Sequence, residues 1–305
     1  MKFSITIPAY KSLFLNEAIR SVKEQSYEEW ELIIVDDCSP EDLYSIVRPY
    51  LSDHRIQYHR NSQNCGALNV VDNWNICLSY CSGDYVLCMG DDDRLLPCCL
   101  EEYTKIMETH PNLNIYHAHT QIIGGTGQII ESQEERPEYE TCQEMLYRQW
   151  KYERKQFLGD FQFSREWLNK NGGYVKFPYG LSSDRTTANL AAKDTGIANG
   201  NKTMYEYRDT QMTISRSQDL RIAVISCNSA YKWYSENFKG MLPLEFHGYY
   251  TSKLTDLIYL DVKRKPFKES VFWLSHSTGL VISLPQVVTA CCRGIIASAK
   301  YKKNT

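Results

Sequence analysis

The chain has 305 residues, 43% of them hydrophobic and 23% charged, with a formal net charge of −3 and a pI near 6.2. That length supports one large domain, or a domain with an appendage, around a sizeable core, and the slightly acidic balance argues against a nucleic-acid binder. Eleven cysteines, an odd number at neither framework nor metal-ligand spacing, exclude a disulfide scaffold and argue against zinc. Met1-Lys2-Phe3-Ser4 runs straight into a strand with no leader, which predicts a cytoplasmic, reducing compartment. No run reaches the eighteen or so apolar residues that span a bilayer. Trp273 to Ala299 comes nearest and is broken by His276, Ser277, Pro285, Gln286 and Arg293.

Phe3 to Ile7 reads as a first strand, ended by Pro8-Ala9-Tyr10. Leu15, Ala18, Ile19 and Val22 give helical spacing between Leu13 and Gln25. Glu31 to Val35 is a second strand closing on Asp36-Asp37, and Ser39-Pro40-Glu41-Asp42 opens a helix with Ser39 as N-cap and proline at the first helical position. Arg55 to His59 is a third strand and Cys65 to Cys81 a helix. Tyr85 to Met89 is an apolar run stopped by Gly90. After Pro97 the pattern gives a helix to about His110, then a strand from Leu113 to Ala118. Strands alternating with helices of this size predict βαβ units in an α/β, mostly parallel, Rossmann-like sheet flanked by helices.

From Gln121 the pattern changes. Ile122-Ile123 and Ile129-Ile130 around Gly124-Gly125-Thr126-Gly127 predict a hairpin, with no helix following to make a dinucleotide fingerprint. Tyr147 to Arg154 reads as a surface helix or loop, Phe157 to Phe163 as a strand, Arg165 to Lys170 as a short helix, Ser182 to Lys193 as a helix and Tyr205 to Ser215 as a strand. Beyond Ser217 the character is helical: Asp219 to Asn237, Phe246 to Val262, and Lys268 onward with a break at Pro285. This predicts two parts, 1–217 and a C-terminal helical region, 218–305.

The chemistry concentrates at Asp91-Asp92-Asp93. Three adjacent carboxylates at a strand's carboxyl end, where open α/β sheets bind ligands, call for positive charge between them. In an extended chain Asp91 and Asp93 would share one side and one Mg²⁺ or Mn²⁺ ion. Asp36 and Asp37 end a neighbouring strand and can accept N–H or O–H donors of a base or ribose, one of them alternatively capping the next helix. In Asn64-Cys65-Gly66-Ala67-Leu68-Asn69, Asn64 is a cap or, with Gly66 and Asn69, part of a nucleotide's cradle.

Taken in order, Ile7-Pro8-Ala9-Tyr10, Ile33-Ile34-Val35-Asp36-Asp37-Cys38-Ser39, Asn64-Cys65-Gly66 and Gly90-Asp91-Asp92-Asp93 with Pro97 resemble the family 2 inverting glycosyltransferases of the GT-A fold. The resemblance extends more weakly to about residue 216. It implies a metal-dependent transferase acting on a nucleotide-diphosphate sugar, usually a UDP-sugar. Pro8, Ala9, Tyr10, Asp36, Asp37, Asn64, Gly66, Asn69, Asp91, Asp92 and Arg208 would lie on the donor, with Asp91 and Asp93 on the metal. Gly90 stands where the family often has an acidic residue, which leaves open which aspartate meets the metal. The resemblance also implies that Asp184, in Ser182-Ser183-Asp184-Arg185, is the general base. Read alone, Asp184 is a first-turn aspartate at the helix dipole. Arg208, Gln211 and Ser215 resemble the strand-loop over the diphosphate, although Arg208 fits a surface ion pair equally well.

The expected acceptor is the hydroxyl of a glycan or lipid-linked glycan in polysaccharide biosynthesis. A sugar nucleotidyltransferase would need a glycine-rich basic loop that Pro8 to Ser12 does not supply. A non-catalytic glycan- or nucleotide-binding module would not need Asp184 with the triple aspartate. Aromatics at Trp233, Tyr234, Phe238, Tyr249, Tyr250 and Trp273, with basic clusters at Lys263-Arg264-Lys265 and Lys300-Lys302-Lys303, predict a packed core, a dimer seam, or peripheral contact with the inner face of a membrane.

Overall fold

Strand β1 (Phe3–Ala9) buries residues on both of its faces, Ser4 and Thr6 as fully as Phe3, Ile5 and Ile7. Such a strand belongs in the middle of a sheet covered on two sides, and there it lies. In the computed structural model, which describes residues 1–152, 154–210 and 219–303, β1 pairs in parallel with β2 (Trp30–Asp36) on one side and β4 (Tyr85–Cys88) on the other. Strand β3 (Ile56–Arg60) extends the parallel set beyond β2. Beyond β4 come β9 (Phe161–Ser164), β6 (Ile115–Ile123), β10 (Ile197–Arg208) and β5 (Arg94–Leu95), with β7 (Ile129–Ser132) on β6 and β8 (Tyr139–Glu140) on β10. β6 and β10 are parallel, while β9, β5, β7 and β8 are short and antiparallel. The fold is α/β with a mostly parallel sheet flanked by helices.

The sheet register decides where the chemistry goes. Ala9 lies opposite Asp36 and Thr6 opposite Cys88. The carboxyl ends of β1, β2 and β4 therefore deliver Tyr10, Asp37 and the triple aspartate to one sheet edge. Helix α1 (Leu15–Lys23) buries Leu15, Ala18, Ile19 and Val22 beneath it. Its stripe joins Ile5, Ile34, Leu87 and Leu100 in the core.

Several boundaries differ from the sequence expectation, each for a local reason. Helix α2 (Leu43–Val47) is capped by Asp42, which accepts from Ser45 N at 3.1 Å. Ser39 instead donates its hydroxyl to Tyr10 O at 2.6 Å. Helix α3 (Val70–Ser79) is preceded by a 3-10 turn, Ala67–Asn69, headed by Gly66 at a φ of 78°. Helix α5 (Cys142–Lys151) buries Cys142, Met145, Leu146, Gln149 and Trp150 rather than lying on the surface. A 3-10 turn, Leu158–Asp160, stands where a strand was expected before β9. β10 begins eight residues ahead of Tyr205 because it must reach along β6. Gln211 and Ser215 lie outside the described residues.

The chain divides into two compact units, Met1–Met145 with Arg154–Thr213, and Leu146–Glu153 with Ile214–Thr305. In the second, helices α8 (Leu220–Asn237), α9 (Glu245–Arg264), α10 (Pro266–Ser275) and α11 (Leu284–Lys303) pack around Val224, Leu254, Ile258, Trp273 and Val287. Pro285 breaks nothing. It sits in the first turn of α11, where a missing N–H costs least, and the interruption falls at 276–283. No helix among the described residues is long and apolar enough to cross a membrane.

Candidate active site

Gly90 to Asp93 form a turn, Asp93 N donating to Gly90 O at 3.4 Å, so strand alternation does not apply and the three carboxylates fan out. Asp91 Oδ2 accepts the backbone N–H groups of Tyr10 and Lys11, both at 2.7 Å. Asp92 Oδ2 accepts Lys11 Nζ at 2.7 Å. Asp93 accepts Gly90 N at 3.2 Å, Arg208 N at 2.8 Å and the Tyr205 hydroxyl. Asp91 and Asp93 thus bind opposite walls, and do not lie side by side as the alternation of an extended strand would place them. The oxygens that converge belong to Asp92 and Asp93. A Cβ on Gly90 would meet Asp92 Oδ1 and Asp93 Oδ2, each at 2.8 Å, so glycine is what lets these two carboxylates close on the turn, in the cradle they form with it.

The electrostatics match this crowding. All three aspartates are buried. Burial, with the charge of Asp92 adding to it, pushes the carboxyls of Asp91 and Asp93 above the usual range. Burial works against the Lys11 ammonium, but Asp91 and Asp92 outweigh it and hold its pKa above the ordinary lysine value. Lys11 is a site residue that sequence reasoning passed over.

Asp36 and Asp37 divide their work. Asp36 is closed off, accepting Ser39 N at 2.7 Å, the Tyr58 hydroxyl at 2.6 Å and the Arg60 guanidinium. It holds the loop. Asp37 Oδ1 accepts Asn61 Nδ2 at 2.8 Å and Cys65 N at 3.0 Å. Asn64 caps no helix; its Nδ2 donates to Asp37 O at 2.6 Å. Asn69 Nδ2 reaches Cys65 O at 3.3 Å. Asn61, also held by Asn73 Oδ1 at 3.0 Å, completes a rigid wall beside Asp37 that the sequence did not flag. Pro8 and Ala9 end β1, Ala9 O accepting Asp37 N at 2.9 Å, and the Tyr10 ring is 45% exposed above them.

Arg208 is neither on the surface nor free. It is 1% exposed. Its guanidinium donates to Asp92 O at 2.7 Å, to Gly124 O and Gly125 O at 3.4 and 3.3 Å, and to Glu17 Oε2 at 2.7 Å, and it stacks on Phe14 at 4.0 Å. With these four hydrogen bonds it is a strut under the aspartate turn, and its burial is at odds with the surface ion-pair reading alone.

Asp184 sits in the first turn of α7 (Ser183–Thr195). The approach is unusual: Tyr179, Gly180 and Ser182 all have positive φ, at 58°, 66° and 68°. Two such non-glycine residues in four cost of order 1–3 kcal/mol each, held in place because Pro178–Gly180 packs against Ala67–Asn69 and against Val70 and Trp74 of α3. The strained turn thereby rests on the loop that flanks Asp37. Desolvation raises the Asp184 carboxyl, opposed by the N–H and charge of Arg185. Ser183 anchors the helix start, its Oγ accepting Phe177 N at 3.0 Å.

No group of three or more His, Cys, Asp or Glu side chains able to hold a metal occurs among the described residues.

Residues 4–172 match the family model for glycosyl transferase family 2. EpsE of Bacillus subtilis (strain 168) is 33% identical over 118 residues, 38% of each chain. The poly(ribitol-phosphate) beta-N-acetylglucosaminyltransferase TarS of Staphylococcus aureus (strain Mu50 / ATCC 700699) is 27% identical over 113 residues, 36% of this chain and 19% of that one. The matched part spans less than two fifths of either relative. Among solved structures, S. aureus TarS 1-349 in complex with UDP-GlcNAc superposes with a TM-score of 0.61 at 16% identity, covering 100% of this chain and 93% of that one. The mannosyltransferase PcManGT from Pyrobaculum calidifontis, in complex with GDP-Man and Mn2+, gives 0.53 at 15% identity, covering 98% and 86%. At these identities the likeness establishes a shared fold.

Proposed function

The chain belongs to glycosyl transferase family 2, with the GT-A fold, and from that membership we propose that it transfers a sugar from a nucleotide-diphosphate donor to a hydroxyl acceptor with inversion of configuration. The observation that carries the proposal is the shared sheet edge. There Asp37, an acceptor suited to a base N–H, ends β2, and the Gly90 turn with its aspartates ends β4, with β1 between them. The TarS complex with UDP-GlcNAc supports a UDP-sugar as donor, and the GDP-Man complex of PcManGT makes guanosine the alternative to screen.

The cradle's donor set fits a divalent cation. Asp92 and Asp93 bring hard carboxylate oxygens together beside Gly90, Asp93 Oδ2 being steadied by Gly90 N and the Tyr205 hydroxyl. Mg²⁺ or Mn²⁺ is commonly held by one or two carboxylates, with phosphate oxygens and water in the remaining positions. When bound, the ion would neutralise charge on the departing diphosphate. Asp91, in this reading, aligns the β1 loop through Tyr10 and Lys11 rather than holding metal, and Arg208 keeps the turn rigid. Asp184 takes the proton from the acceptor hydroxyl as that oxygen attacks the anomeric carbon from the face opposite the nucleotide. Its raised pKa makes the carboxylate a stronger proton acceptor than a solvated aspartate. Inversion follows from one displacement without a covalent intermediate.

The acceptor in this proposal is a glycan or lipid-linked glycan in cytoplasmic polysaccharide biosynthesis. Calorimetry with UDP, with and without Mn²⁺, tests the donor half: binding should require the ion and weaken when Asp92 and Asp93 are both replaced by Asn. Unchanged, metal-independent binding in that variant would defeat the metal assignment.

A further inference from the structure

Residues 263–305 carry eight Lys or Arg and one acidic residue, a net +7, in a chain whose total is −3. The one acid, Glu269, is buried in an ion pair with Arg221. The same stretch leaves apolar side chains uncovered along two neighbouring helices. On α10, Glu269, Ser270 and Trp273 face inward, while Phe267 and Val271 on the adjoining flank are 87% and 69% exposed. On α11, Val287, Ala290 and Cys291 face inward, and Leu284, Val288, Ile295 and Ile296 form a second, exposed row at helical spacing. Apolar rows of this length on a soluble surface mark a docking site.

Charge selects the occupant. A second copy would set +7 against +7, whereas an anionic lipid surface is the complement of both features. Neither helix can cross a bilayer, so the contact is with its surface. We propose that α10 and α11 lie on an anionic membrane, with Phe267, Val271, Val288 and Ile296 entering the headgroup boundary. Lys263, Arg264, Lys265, Lys268 and Arg293, all exposed, meet the lipid phosphates. This inference rests on the second unit alone and is independent of the transferase reading.

Flotation of the full chain with vesicles of neutral phosphatidylcholine, and of phosphatidylcholine with about one third phosphatidylglycerol, tests it. The chain should float with the anionic vesicles at least tenfold more than with neutral ones, and lose that binding in high salt. Val288→Glu with Ile296→Glu, and separately Lys263→Glu with Lys268→Glu, should each reduce flotation about tenfold with unchanged circular dichroism and melting. No flotation with anionic vesicles, or equal flotation with both, would overturn the proposal. So would a dimer in sedimentation velocity that the apolar-row substitutions dissociate, since the face would then belong to a second copy.

Discussion

Asp91 and Asp93, two positions apart, tie together opposite walls of one turn: Asp91 takes the N–H groups of Tyr10 and Lys11 beyond β1, and Asp93 takes the N–H of Arg208 at the end of β10. Segments more than a hundred residues apart are thus fixed against Gly90. Between them Asp92 and Asp93 turn one oxygen each toward the glycine. Replacing Gly90 with Ala puts a methyl group into that cradle. Calorimetry should show Mn²⁺-dependent UDP binding lost by at least tenfold. Metal-dependent binding at wild-type strength in Gly90→Ala would show that the ion, if any, sits elsewhere.

Arg208 should matter for folding before it matters for the donor. Arg208→Ala leaves the carbonyls of Asp92, Gly124 and Gly125 without this donor and Glu17 with Arg94 alone. Because Glu17 is 44% exposed on its side chain and keeps Arg94, the cost comes from the carbonyls left unsatisfied, roughly 1–3 kcal/mol. Urea unfolding measures this directly. A loss below about 0.5 kcal/mol, the scale of an ordinary surface change, would contradict the strut assignment.

Asp160 sets a pH dependence of stability. It is fully buried, accepting Thr120 Oγ1 at 2.6 Å, Gln133 Nε2 at 2.8 Å and Phe157 N at 2.8 Å, and burial raises its pKa to about 7 despite the nearby Arg136 charge. In the unfolded chain the value returns to about 3.9. Between these two values the native state holds the extra proton, so stability falls as pH rises and levels off above about 7. Melting temperature measured from pH 5 to 8 should show that decline in the wild type and a flatter profile in Asp160→Asn. Equal slopes in the two proteins would place the titration on another group.

Sequence reading reached the βαβ order, the hairpin at β6–β7 and the carboxyl-edge position of Asp37 and the triple aspartate, because each is written in a short run of apolar residues ended by a turn. It missed what depends on register between distant segments. Lys11 looks like an ordinary loop lysine until β1 and β4 are paired. Tyr205 looks like any strand tyrosine until its alignment with Leu95 brings the hydroxyl to Asp93. Arg208 reads as a surface charge because the partner that makes it buryable, Glu17, is 191 residues away. The extended chain assumed for Asp91 to Asp93 gave way to a turn begun by Gly90, which changes the directions of the three carboxylates. Pro285 was misread because a proline that opens a helix and one that breaks it look alike until the preceding turn is known.

The direct trial of the whole account is donor turnover by wild type and Asp184→Asn over a panel of UDP-, GDP- and dTDP-sugars with Mn²⁺ and a glycan acceptor. The account predicts that the wild type consumes one donor class with inverted product, and that the variant binds the same donor nearly as tightly while transferring at least a hundredfold more slowly. Transfer at the wild-type rate by Asp184→Asn, or no binding of any donor by the wild type, would contradict it.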